Sequence, residues 1–301
     1  MFAMKGGREA SGAVSGFRVR GMTDGDPARI VDFRAVVKWP ADPGAFDLLR
    51  GMRDVRWAVA ESPEGVICGM VGAVPFVGGV GILCHLAVRR EYRNIGLGAS
   101  LTAWAVAYLR SRGTKLVRLY TTPEAENVYR SVGFEPGEFR TVYRLEKPGE
   151  RASPKFGGHR VETLCFGDLP EMHGLDRWSY GADRGGLILS ILRLHPGRGL
   201  VARDSSGRMK GYLVRSHSSG EIRIGPFMAS DEKVAETLLS RAIEGGDAPI
   251  RIVVPGEDGP AHELIRDFGF AGKRDRLRME MGEIPEPGGL EEYATTAYLA
   301  T

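Results

Sequence analysis

Leu86-Ala87-Val88-Arg89-Arg90-Glu91-Tyr92-Arg93-Asn94-Ile95-Gly96-Leu97-Gly98-Ala99-Ser100 is the stretch that decides the fold of this chain. It opens at the end of the apolar run at residues 80–88, whose length and composition suit a strand. It closes on a helix over residues 99–112. There Leu101, Trp104, Ala105, Tyr108 and Leu109 recur at i, i+3, i+4, i+7 and i+8, and Gly113 stands as the stop. A strand, a tight loop and a helix in that order suit an anionic group. Free backbone N–H groups and the positive end of the helix dipole converge at such a point. Gly96 and Gly98 permit positive φ and close approach of a phosphate, and successive amides there can form a nest. The plainer alternative is a turn that needs glycine only for its geometry, since 42 of the 301 residues are glycine. The spacing lacks both the six-residue dinucleotide fingerprint and the Gly-Lys-Ser/Thr of a P-loop.

Working outward, the first half reads as a strand at 17–22, helices at 26–37 and 44–52, and strands at 56–62 and 66–77 joined near Pro63. The strand at 80–88, the loop and the long helix follow. Then come a strand at 115–122, a short helix at 123–134 and a strand at 139–147. The second half repeats this order. Its long helix carries Ala235, Leu238, Leu239, Ala242 and Ile243 at the same five spacings. The pairs Gly133-Phe134 and Gly269-Phe270 lie 136 residues apart, and the two helical stripes, from Leu101 and Ala235, lie 134 apart. The near-constant offset indicates an internal duplication; chance agreement between two amphipathic helices is the alternative. The expected organisation is a loose arm at 1–16, a first domain at 17–148, a Pro/Gly-rich linker at 149–158, a second domain at 159–283 and a tail at 284–301 that packs late.

The loop resembles the acyl-CoA-binding motif of the GNAT (GCN5-related N-acetyltransferase) superfamily, Arg/Gln-x-x-Gly-x-Gly/Ala after a Leu-x-Val strand. Leu86-Ala87-Val88 and Arg93-x-x-Gly96-x-Gly98 fill every position. A second family pattern, Asn-x-x-Ala-x-x-x-Tyr-x-x-x-Gly-Phe, is matched by Thr122, Ala125, Tyr129, Gly133 and Phe134, with Thr122 in place of the Asn. The resemblance implies an α/β (α+β) fold of two tandem GNAT-like domains, each a mostly antiparallel mixed sheet flanked by helices. It implies that the backbone of Arg93, Asn94, Ile95, Gly96, Leu97, Gly98 and Ala99 holds the CoA pyrophosphate. Leu86, Ala87 and Val88 would bond the pantetheine arm, with Thr122 and Ala125 also at the cofactor. The second half resembles the second domain of tandem GNAT proteins through Leu175-Asp176, Tyr180-Gly181-Ala182-Asp183-Arg184 and the run from Ile224 to Ala229. It lacks the glycine loop and has Ile265 where the first half has Tyr129, so it is a degenerate partner domain expected to shape the acceptor site.

Acetyl transfer to an amine needs a neutral nucleophile, fixed N–H groups at the carbonyl oxygen and a proton for the departing thiolate. A phenol of ordinary pKa, about 10, is protonated at neutral pH, so Tyr129 suits the general acid; otherwise it is a core aromatic. The base is open. Positions at even spacing from Val88 are Cys84 and Ile82, neither suited. His85 points to the other face of a regular strand unless a bulge rotates it back. A water chain or an acid from the second half is the alternative. Tyr180, Asp183 and Arg184, with Asp176 nearby, are candidates for acceptor binding, or else a helix cap with solvated charges. Trp57 and Trp178 either pack an acceptor or belong to the core.

The expected activity is N-acetyl transfer from acetyl-CoA to a primary amine, favouring a small molecule, by direct attack in a ternary complex. Alternatives are another acyl-CoA, a protein amine as acceptor, or a non-catalytic acyl-CoA-binding sensor. Lys plus Arg total 41 against 38 Asp plus Glu, a net +3 too small to argue for nucleic acid or a membrane surface. Cys68, Cys84 and Cys165 form neither a disulfide framework nor a metal spacing, so no metal is expected. Residues 1–17 lack the apolar core of a signal peptide, and no run is long enough to span a bilayer. The cytoplasm is the expected location. Nothing in the sequence fixes the oligomeric state.

Overall fold

A computed structural model describes residues 14, 16–37, 43–148, 159–218, 220–246, 248–283 and 288–296. The linker at 149–158, and all of the arm except Val14 and Gly16, lie outside the described residues. The first half runs β1 (Arg18–Gly21), α1 (Asp26–Val36), α2 (Pro43–Arg50), β2 (Arg56–Glu61), β3 (Ile67–Pro75), β4 (Val80–Val88), α3 (Leu97–Ser111), β5 (Leu116–Thr121), α4 (Glu126–Arg130) and β6 (Glu135–Leu145). The second half runs β7 (Arg160–Thr163), α5 (Leu169–Tyr180), α6 (Gly185–Leu194), β8 (Gly199–Arg203), β9 (Met209–Ser218), β10 (Glu221–Ala229), α7 (Glu232–Ile243), β11 (Ile250–Pro255), α8 (Pro260–Asp267), β12 (Ala271–Gly282) and β13 (Glu291–Ala294). The order repeats from one half to the next, as the offset of the sequence landmarks requires. Both Gly-Phe pairs make the same turn. Gly133 and Gly269 take φ of +102° and +81°, and the next amide bonds back to Tyr129 O at 3.1 Å and Ile265 O at 3.3 Å.

The strands form one sheet, in the order β1-β2-β3-β4-β5-β12-β6-β11-β10-β9-β8-β7, with β13 paired to β10. The closing strand of each half is exchanged. β12 pairs antiparallel with β5 of the first half, β6 pairs antiparallel with β11 of the second, and β12 and β6 pair with each other at the centre. The exchange extends to the cores. Leu277 and Met279 of β12 join Leu97, Leu101, Ala105 and Leu109 of α3, while Tyr143 and Leu145 of β6 join the α7 and α8 core. On the opposite face α1, α2, α5 and α6 share a single core, where Phe33, Leu49, Trp57, Leu187 and Ile188 are buried together. β3 and β5 are buried along almost their full length, and β3, covered by α3 and α1, accordingly reads as an unbroken apolar run.

An ionic cluster sits where the halves meet. Arg118 Nε lies 2.6 Å from Glu280, and Arg140 lies 3.3 Å from both Glu138 and Glu292. Arg184 Nε donates to Asp176 at 3.1 Å, and the Tyr212 hydroxyl donates to the same carboxylate. Breaking such buried pairs singly costs about 3–5 kcal/mol, because the remaining charge is stranded.

Candidate active site

β4 and β5 pair in parallel only from Val80–Ile82 to Leu116–Arg118. Beyond that point they part, leaving residues 83–88 as one wall of a wedge and the end of β5 as the other. β4 also carries a bulge: Met70 faces Ala87 and Gly72 faces Cys84, so His85 and Leu86 together oppose Val71. His85 takes a φ of +54° to make it. The bulge rotates His85 toward the wedge, beside Cys84, where a regular strand would turn it away. Its ring centroid lies 5.5 Å from that of Trp57. A cavity of about 160 Å³ sits in the wedge, lined by Cys84, His85, Leu86, Tyr120, Thr122, Ala125, Tyr129 and Arg276.

The loop leads straight into α3. Asn94 and Gly96 both have positive φ, +62° and +93°, and Gly96 is the N-cap with no side-chain capping bond. The first intrahelical bond is Ser100 N–H to Gly96 O at 3.0 Å, so the amides of residues 96–99 precede the helical ladder and can meet an anion. Arg93 Nε donates to Val88 O at 3.0 Å and ties the loop to the strand end. Gly98 packs closely: a Cβ there would lie 3.1 Å from the Val128 side chain of α4. Ile95 is exposed, Leu97 is buried, and Leu86, Ala87, Val88 and Ala99 are half-buried. These backbone and glycine features fit the diphosphate and extended arm of an acyl-CoA.

Tyr129 projects from α4 into the wedge cavity and is 5% exposed. Burial pushes its phenol up to about 12, against a smaller opposing effect of a hydrogen bond with Thr121. It therefore holds its proton through neutral pH. Burial likewise pushes the Cys84 thiol far up, so Cys84 stays a thiol and is a poor nucleophile.

The second half builds the same wedge and fills it. β10 and β11 pair in parallel only from Ile222–Ile224 to Ile250–Ile252. β13 then lies against β10, with Phe227 facing Ala294 and Ala229 facing Glu291, and Thr295 N–H bonds Val253 O of β11 at 2.9 Å. At the start of α7, Asp231 accepts from Val234 N at 3.0 Å.

A larger cavity of about 450 Å³ lies between the halves. Arg118, Glu138 and Arg278 line it from the central strands, and Tyr180, Met228 and Glu292 from the second half. Of the three acceptor candidates, only Tyr180 reaches its wall. Asp183 caps α6 by accepting Gly185 N–H at 2.8 Å, and its own N–H bonds Val77 O at 2.8 Å across the two halves. Arg184 is fully buried, with its guanidinium 3.8 Å from the Tyr180 ring. Asp183 and Arg184 therefore brace this wall from within. Trp57 is a core residue and Trp178 is 64% exposed. Tyr120, which lines the wedge cavity, was not singled out in the sequence, because an aromatic inside the strand at 115–122 reads as core.

Strand, glycine loop, helix N-terminus and wedge together define a transferase of the acyl-CoA-binding kind. Two models of the Acetyltransferase (GNAT) domain match the chain, over residues 53–136 and 172–290. The chain is similar to uncharacterized N-acetyltransferase YitH of Bacillus subtilis (strain 168), 23% identical over 235 residues that cover 77% of this chain and 80% of that one. Its fold matches a protein from Pyrococcus horikoshii assigned as an acetyltransferase, with TM-score 0.78 and 19% identity over 97% of this chain and 99% of the other. It also matches a tandem GNAT protein from the clavulanic acid biosynthesis pathway, with TM-score 0.66 and 14% identity over 90% and 99% of the two chains. The chain belongs to the GNAT family, with two such domains in tandem. The family's chemistry, acyl transfer from an acyl-CoA, is the chemistry assigned to it.

Proposed function

We propose that this protein transfers an acetyl group from acetyl-CoA to a primary amine on a small molecule. The cofactor is held by the first half alone, and the acceptor enters from the chamber between the halves. The observation that carries this is the open wedge ending at Tyr129, joined to a helix N-terminus whose cap has no side chain. The cavity of about 160 Å³ beside Tyr129 supports a short acyl group.

Acetyl-CoA supplies an activated acyl carbon bound to sulfur. The amides at residues 96–99 are placed to hold its pyrophosphate, and the free edge of β4 from Leu86 to Val88 to hold its arm and to stabilise charge on the acyl oxygen. The acceptor nitrogen forms the new C–N bond, the C–S bond breaks, and one amine proton leaves to solvent. Tyr129 gives its proton to the departing sulfur and is reprotonated from solvent. His85, turned inward by the bulge, stands where it can relay the amine proton. The protonated state of Cys84 favours direct transfer over an acyl-cysteine.

The test is CoA release measured against 1,4-diaminobutane, glucosamine, L-lysine and a peptide with a free N-terminus. Wild-type protein is expected to turn over a small amine. Tyr129→Phe should bind acetyl-CoA as tightly as wild type and lose about 10²–10⁴-fold in kcat. Equal turnover by the variant removes the acid role, and acetyl-CoA binding without turnover of any amine overturns the enzyme reading.

A further inference from the structure

Tyr120 lies on β5, one residue before Thr121, and is 7% exposed. Its hydroxyl is buried and finds no hydrogen-bond partner among the described residues. Buried hydroxyls without partners are rare and costly, and phenylalanine would fill the same space without that cost. The ring is also fixed in place. The Arg140 guanidinium stands 4.9 Å from its centroid, and Arg140, 1% exposed, is itself held by Thr295, Glu138 and Glu292. A rigid residue that lines the reaction cavity and carries a buried, unanswered hydroxyl is the arrangement expected of a group that waits for a ligand atom.

Its direction is set by the strand. Successive residues of β5 point to opposite faces. Leu119 joins the α3 core together with Tyr129. Tyr120 therefore opens to the other face, where Arg118, two residues before it, lines the chamber between the halves. Its electrostatic neighbours include Tyr180 and Glu292, which line the same chamber. The two tyrosines thus approach the wedge cavity from opposite faces of the sheet, Tyr129 from the α4 side and Tyr120 from the chamber. Burial pushes the Tyr120 hydroxyl up, so it stays neutral and does not serve as a base.

Resting on the acyl-transfer function proposed above, we infer that the Tyr120 hydroxyl oxygen accepts a hydrogen bond from the acceptor's amino group and selects primary amines. A primary amine has two N–H bonds. One can stay on Tyr120 while the other proton leaves as the C–N bond forms, and the amide N–H of the product remains bound. An N-methyl amine has a single N–H, which is the one lost, so its product has nothing to offer the hydroxyl.

The experiment compares wild type with Tyr120→Phe on 1,4-diaminobutane, glucosamine and L-lysine, each paired with the form in which every amino group carries one methyl. Acetyl-CoA affinity is measured by calorimetry and stability by thermal melting. The variant should keep wild-type acetyl-CoA affinity and lose about tenfold in kcat/KM for the primary amine, mostly through KM. Its preference for the primary over the N-methyl amine should fall toward unity. Its melting temperature should equal or exceed that of wild type, since an unpartnered buried hydroxyl has been removed. Unchanged selectivity alongside wild-type turnover overturns the role of Tyr120 and leaves the acyl-transfer reading standing. A lowered melting temperature overturns it too, by showing that the hydroxyl serves the fold. Absence of wild-type turnover with every amine overturns the acyl-transfer reading, and this inference with it.

Discussion

At the start of α3 the chain places Gly96, which has no side chain; at the start of α7 it places Asp231, whose carboxylate occupies Val234 N–H at 3.0 Å. Between β4 and β5 lies a lined cavity, and between β10 and β11 lies β13. Tyr129 stands before one Gly-Phe turn and Ile265 before the other, with matching backbone bonds. The two halves therefore share a scaffold and differ at the points where an anion, an extended arm and a proton would be handled. An aspartate at a helix N-terminus satisfies the same donors that would bind a phosphate and repels it besides. A peptide strand in the wedge takes backbone bonds that a pantetheine arm would otherwise make. A duplicated binding fold can thus become a supporting one through local substitutions, with its sheet intact.

The contrast would lose its basis if each half were a self-sufficient unit, and cutting the chain tests this with the largest expected effect. Residues 1–148 alone lack β12, which lies between β5 and β6 and supplies Leu277 and Met279 to the α3 core. This fragment should show no cooperative thermal transition by circular dichroism, and a sharp melt would show that the exchange is dispensable. A smaller effect comes from giving the first half the second half's cap. Gly96→Asp should weaken acetyl-CoA binding about 30-fold in calorimetry, roughly the loss of one charge-assisted bond plus repulsion. Gly96→Asn, which also tolerates positive φ, should lose far less. Equal losses would assign the effect to backbone strain. The smallest effect is the converse change. Asp231→Ala should cost about 1 kcal/mol of stability as a lost N-cap, while acetyl-CoA stoichiometry stays at one per chain because β13 still fills the wedge. A second binding event would show that the cap alone had closed that site.

Much of this was legible in the residues. The loop, the α3 and α7 stripes and the paired Gly-Phe turns are local patterns, and local patterns survive translation into structure. Strand partners did not. Alternation tells which face a residue of β6 or β12 presents, and either neighbour satisfies it, so the exchange left no mark. The segment Glu291–Ala294 is too short to carry a period and follows a Pro/Gly break, so it read as tail. Asp183 and Arg184 read as acceptor-binding candidates or else as a helix cap with solvated charges, because their partners, Gly185 N–H and Asp176, become partners only through a helix start and a helix packing. The inward turn of His85 depends on a positive φ at a residue other than glycine, which composition does not announce.

The exchanged strands also set an order of events in the making of the molecule. Chains emerge from the ribosome at about 5–20 residues per second and tend to fold from the front. Here β5, complete at Thr121, waits for β12, which ends at Gly282. The half with the open wedge cannot finish its sheet until the chain has been made through Gly282. A transcript cut short or a stalled ribosome would therefore release a chain without a finished wedge, and the second half acts as a proof of completion for the first.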